Sequence, residues 1–177
     1  AAMHMTTVRA FIHFGIRDYQ GPARLLSNVN AYVTRDSSQT GRFMSMFFLE
    51  IDPKSQLLRW VRAGHEPALF FEQAGKSFAE LNGEGMVLGV DDKFQYDEFS
   101  QSGWNSSDII LIGTDGIQET RNENGVMFGH ERLRDIIRRH ADASAKTIRD
   151  MVIDSLRDFR GNASQEDDVT LVVVKLL

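Results

Sequence analysis

Two acidic motifs carry the residues best suited to chemistry. Gly113-Thr114-Asp115-Gly116 follows directly on the run Asp108-Ile109-Ile110-Leu111-Ile112, and Glu166-Asp167-Asp168-Val169-Thr170 leads directly into Leu171-Val172-Val173-Val174. A carboxylate at the end of one apolar strand and others at the start of a second can meet at one edge of a sheet. Carboxylates brought together repel unless a hard divalent cation lies between them, and oxygen-only donors select Mg²⁺ or Mn²⁺ over softer metals. An ionised group at the boundary of a buried strand is costly unless it is paired or bound to metal. The pattern therefore predicts a shared cation site at Asp115, Asp167 and Asp168. Each motif also has an ordinary reading: Asp-Gly is common turn chemistry, and an acidic pair ahead of a strand is a solvated turn.

His65, in Arg62-Ala63-Gly64-His65-Glu66-Pro67, has two readings. A neutral imidazole there could serve as hydrogen-bond partner or general acid, or it could satisfy backbone groups in a strand turn ended by Pro67. His4, His13, His130 and His140 fall on expected helices at no ligand spacing. Arg132, Arg134, Arg138 and Arg139 read as a solvated helix face, with docking of an acidic phosphoprotein as the alternative. Met3, Met5, Met44 and Met46 read as core filling, and Gly125 and Gly129 as turn residues.

The elements that must position these groups follow from hydrophobic period. Residues 1–20 read as helix, with Met5, Val8, Ile12 and Ile16 on one face and no capping residue before Ala1-Ala2. Gly21-Pro22 breaks the chain. A second helix spans 22–33, carrying Leu25, Leu26, Val29 and Val33 on its inner face. After Thr40-Gly41 the period becomes that of strands: 43–51, 57–63, 68–73 and 77–81, with tight connections that predict an antiparallel meander. Residues 94–99 and 109–112 are further strands, and 129–140 and 144–159 are helices. Residues 169–176 are apolar on both faces, which predicts a strand in mid-sheet. Strands in a block between helices give an α+β layout in one domain, 1–177.

Bulk properties narrow the class. At 42% hydrophobic and 25% charged residues, the 177-residue chain has the composition of a globular domain, without a run long enough to span a bilayer as a helix. The absence of cysteine removes disulfides, thiolate nucleophiles and Cys-ligated zinc, and fits a reducing, cytoplasmic compartment. A net charge of -5 argues against a nucleic-acid partner.

In register along the chain, five segments resemble the SpoIIE-type serine/threonine phosphatases, the bacterial branch of the metal-dependent PPM phosphatases. They are Ala63-Gly64-His65-Glu66-Pro67; Leu88-Gly89; Thr114-Asp115-Gly116 with Glu119, Asn122, Gly125, Phe128-Gly129 and Arg132-Leu133; Asp167-Asp168-Val169-Thr170-Leu171-Val172; and the opening helix with Met5-Thr6-Thr7-Val8-Arg9. The resemblance implies a PPM-type αββα sandwich of two antiparallel sheets flanked by helices, with two Mn²⁺ or Mg²⁺ ions at one end. It implies that Asp115 and Asp167 are metal ligands, with Gly116 beside them. Asp168 is expected nearby, and the two neighbouring aspartates could exchange roles. The implied reaction is metal-assisted hydrolysis of phosphoserine or phosphothreonine, without a phosphoenzyme.

The family's first metal motif would fall before Ala1, so the resemblance implies an N-terminally truncated segment that is weakly active or inactive. It further implies a phosphorylated STAS-like protein substrate and an N-terminal sensory or oligomerising module in the parent chain, with membrane anchoring of that parent and a homodimer both compatible with it. Two other readings use the same carboxylates: a phosphoprotein-binding module without turnover, and a metal-dependent nuclease or nucleotide phosphohydrolase. The acidic balance disfavours the nuclease.

Overall fold

The structure, a computed structural model, describes residues 2–37 and 41–177. Ala1 and Thr40, part of the expected first helix and first turn, lie outside the described residues, as does the side chain of Met3. The described chain divides into two compact units, residues 1–67 with 82–103, and residues 68–81 with 104–177. Each holds one antiparallel sheet with helices packed on it, the class expected from the sequence.

In the first unit, α1 (Ala2–Gly15) and α2 (Pro22–Ser37) accompany β1 (Met46–Asp52), β2 (Leu57–Ala63) and β5 (Phe99–Ser102) in the order β1-β2-β5. The inner face of α2 is the expected one: Leu25, Leu26, Val29 and Val33 are all buried, against Val61 and Ala63 of β2. The face of α1 is rotated from the expected one. Val8 is buried and Phe11 and Ile12 pack against the core, whereas Met5 and Ile16 are 61% and 49% exposed. The helix is also shorter than read, ending in a 3₁₀ turn at Ile16–Asp18. Met44 and Met46 fill the core edge as expected, and Met5 does not.

The second unit holds β3 (Ala68–Glu72), β4 (Ser77–Leu81), β6 (Ile109–Gly113) and β7 (Leu171–Lys175) in the order β4-β3-β6-β7. The short α3 (Gly116–Glu119), then α4 (Gly129–His140) and α5 (Ala145–Arg160), complete it. Helix α5 starts at Ser144, whose hydroxyl accepts from the Thr147 amide at 3.1 Å and so caps the first turn. Its stripe Ile148, Val152 and Leu156 is buried against the sheet with Leu133 and Ile137 of α4. Burial of a side chain of this size contributes about 1.5–3 kcal/mol. Gly125 and Gly129 lie at positive φ, as turn residues.

Three expectations about strands are corrected. The meander breaks after β2, because β2 and β3 belong to different sheets. Between them Gly64 takes φ +67°, and a Cβ there would sit 2.3 Å from the Val87 side chain, so only glycine fits this bend. Residues 94–98 are not a strand. Their amide at Tyr96 donates to the Ser27 hydroxyl at 3.0 Å and the Tyr96 hydroxyl donates to the Met86 carbonyl at 2.8 Å, so a helix and a loop satisfy what a ladder would have. Finally, among the described residues β7 pairs with β6 alone and Val172 is 48% exposed, where the apolar run had led to neighbours on both sides.

Candidate functional site

Strands β6 and β7 are antiparallel neighbours in register from Ile109↔Lys175 to Gly113↔Leu171. The end of β6 therefore lies beside the start of β7, and the two acidic motifs emerge next to each other. Thr114 joins them. Its amide donates to the Thr170 carbonyl at 3.1 Å, its hydroxyl donates to the Asp168 carbonyl at 3.1 Å, and the Thr170 amide donates to that hydroxyl at 3.0 Å. One residue past this clamp, Asp115 caps α3, its carboxylate accepting from the Gly116 amide at 3.0 Å. A Cβ on Gly116 would lie 2.5 Å from the Asp168 carbonyl oxygen, so the helix start presses directly on the second motif.

The second motif closes a loop, residues 161–168, that is tied down at several points. The Glu123 carboxylate accepts from the Asn162 amide at 3.0 Å. Arg121 Nε pairs with Glu166 at 3.7 Å. Arg160 Nη1 donates to Gln165 Oε1 at 2.8 Å, and Gln165 Nε2 donates to the Asp167 carbonyl at 2.9 Å. Asp167 Oδ1 accepts from the Asp168 amide at 2.7 Å. A small cleft opens here, lined by Gly116, Glu119, Arg121, Arg160, Gln165 and Asp167 among others.

Asp115, Asp167 and Asp168 are all exposed. This corrects the expectation that burial forces them onto a cation, because an exposed carboxylate keeps its hydration and needs no partner. Their donor chemistry still suits a hard ion. All are oxygen donors, and among the described residues none of the three forms an ion pair with Lys or Arg. Among the described residues no three His, Asp or Glu side chains gather tightly enough to enclose an ion. The site supplies part of a coordination shell.

His65 belongs to the first unit. Its Nδ1 lies 3.0 Å from the Glu66 carbonyl and its ring meets Phe47 edge-on at 6.5 Å. The neighbouring turn is stitched by Arg62, which donates to the His65 carbonyl and, at 2.8 Å, to that of Gly83. The arginines of α4 are largely engaged within their own unit. Arg132 donates to the Phe128 carbonyl at 2.7 Å, Arg134 pairs with Glu80 and Glu131, and Arg138 pairs with Asp135.

Sequence reasoning missed the parts played by Thr114, Arg160 and Gln165. A hydroxyl residue at a strand end, and an amide two residues before an acidic pair, are weak signals until the fold brings their partners near.

The family model for Stage II sporulation protein E (SpoIIE) matches residues 1–177. The chain belongs to the SpoIIE family. It is 30% identical to the phosphoserine phosphatase RsbU of Bacillus subtilis over 157 residues, covering 87% of this chain and 45% of RsbU. This SpoIIE-family chain thus spans less than half the length of that relative. Its fold is that of the SiaA PP2C domain of Pseudomonas aeruginosa, with TM-score 0.85 at 20% identity over 99% of this chain and 70% of that one. The phosphatase domain of SpoIIE from Bacillus subtilis, presoaked with Mn, is also similar, with TM-score 0.62 at 16% identity over 96% of this chain and 73% of that one.

Proposed function

We propose that this SpoIIE-family chain is the phosphatase part of a bacterial signalling protein that removes phosphate from phosphoserine or phosphothreonine on a regulatory protein. The observation that carries the reading is the Thr114 clamp, which holds the Asp115 and Asp167-Asp168 segments side by side on adjoining strands. Membership of the SpoIIE family and the likeness to a phosphoserine phosphatase support it.

Asp115 and Asp167 would hold Mn²⁺ or Mg²⁺, two ions being expected in the complete site, with Asp168 as the neighbouring carboxylate. The fold of a relative presoaked with Mn supports manganese. When bound, the ions supply charge neutralisation for the phosphoryl group and an activated water. The chain's own part is positional. Thr114 fixes the separation of the two motifs, Gly116 lets the backbones approach, and the cap at Gly116 sets the direction of the Asp115 carboxylate. His65 serves the turn that carries it, through its carbonyl and its ring nitrogen. The substrate we assign is a phosphorylated STAS-like protein, and the compartment is the cytoplasm.

The test is hydrolysis of a phosphoserine peptide and of a nucleotide by the full natural chain, with and without Mn²⁺, in wild type and Asp115→Ala. Mn²⁺-dependent release from the peptide that is lost in Asp115→Ala supports the reading. Turnover untouched by that substitution, or confined to the nucleotide, sinks it.

A further inference from the structure

Beyond the carboxylates themselves, the second unit contains a two-residue chain of hydrogen bonds that ends on Asp167. Arg160 closes α5, and its Nη1 donates to Gln165 Oε1 at 2.8 Å. The other end of the same amide, Gln165 Nε2, donates to the Asp167 carbonyl at 2.9 Å. Gln165 is exposed, so it buries little apolar surface and its side-chain bonds are its main contribution. Arg160 is half-buried at the end of α5, with its Nε closed off from solvent.

The bonds span the loop that would otherwise be the freest part of the site. Gly161 ends α5 at φ +58°, and residues 164–168 run exposed to the start of β7. Asp168 is fixed from the opposite side by Thr114. Asp167 has no such tie from β6. Its backbone is held through Gln165, and its side chain turns on the adjacent Asp168 amide.

We infer that Arg160 and Gln165 are positioning residues that act through Asp167, setting the peptide plane from which its carboxylate reaches the cation. The inference rests on the reading of Asp167 as a metal ligand. Partners behind a ligand typically contribute 10–100-fold to metal affinity, because an ion held by few donors depends on each being aimed beforehand.

The experiment is Mn²⁺ titration by calorimetry on the full natural chain, with thermal melting of the metal-free protein alongside. Gln165→Met keeps the length and stem of the side chain but neither bond, and Arg160→Met removes the guanidinium. Each is expected to weaken Mn²⁺ binding roughly tenfold. The double variant is expected to be no weaker than either single one, as members of one relay are not additive. Metal-free melting of Gln165→Met should match wild type, which a merely structural role would not allow. Asp167→Asn is the control for the underlying reading. If it loses Mn²⁺ binding while Gln165→Met binds as wild type, the relay is overturned and the ligand stands. If Asp167→Asn itself binds normally, the ligand assignment falls and the relay with it.

Discussion

Gly116 faces the carbonyl of Asp168 so closely that a methyl group in place of its hydrogen would lie 2.5 Å from that oxygen. No rotamer relieves such a contact, since both partners are backbone or fixed to it. Gly116→Ala must therefore push α3 and the second acidic motif apart. The expected cost is about 1–3 kcal/mol of folding stability, read from the urea midpoint. Loss of Mn²⁺ affinity should accompany it. Unchanged stability would show that the two segments are not in contact in solution.

Thr114 should be replaceable by serine but not by valine. Valine keeps the shape and removes the hydroxyl, leaving the Thr170 amide and the Asp168 carbonyl each without that partner. Both groups belong to exposed residues, so water takes the place of the lost hydroxyl and the expected cost is about 0.5–1.5 kcal/mol. Chemical denaturation of Thr114→Val and Thr114→Ser checks it, with serine expected near wild type.

Asp108 stands at the other end of β6 and does structural work. It is 1% exposed, and its two carboxylate oxygens accept from the Gln73 amide at 2.9 Å and the Asn105 amide at 2.8 Å. Asp108→Asn turns one acceptor into a donor facing a donor. Bonds to charged groups are each worth roughly 1.5–3 kcal/mol, and a loss of that order is expected on unfolding. Any Mn²⁺ response should be unchanged, because Asp108 precedes β6 and Asp115 follows it.

Stability should fall at alkaline pH, with a part traceable to Tyr96. Burial pushes its phenol from the ordinary 10.0 up to about 12. A folded-state value above the unfolded one means that folding favours the protonated phenol. That preference is fully present below about pH 10 and is lost as pH rises towards 12. Tyr19 shifts in the same direction, through burial and then its bond to Glu50. Melting temperatures followed from pH 8 to 11.5 (chosen to bracket the lower value) should decline less steeply for Tyr96→Phe than for wild type. Parallel curves would count against the assignment.

Much of the second unit could be read directly along the chain. The stripe Ile148, Val152 and Leu156 on α5 and the run Ile109–Leu111 on β6 are local patterns, written in the period of the residues themselves. The same holds for the inner face of α2. Where several faces were apolar, period failed: α1 carries Met5, Val8, Phe11, Ile12 and Ile16, and only packing chose Val8, Phe11 and Ile12. Residues 94–98 look like a strand, but the hydroxyl of Ser27, sixty-nine positions away, takes the Tyr96 amide.

The sequence by itself determined which side chains could do the chemistry, because aspartates bracketing two apolar runs, with no cysteine available, leave oxygen ligation as the natural choice. It also determined the family, through five short motifs in register. Only the tertiary structure decided that β6 and β7 are partners and that the carboxylates are open to solvent. Those are outcomes of long-range pairing, set by which strands meet when the chain collapses, and no local window contains them. The Arg160–Gln165–Asp167 chain belongs to the same class: three polar residues whose order along the loop says nothing until the end of α5 turns back and brings a guanidinium within reach of an amide.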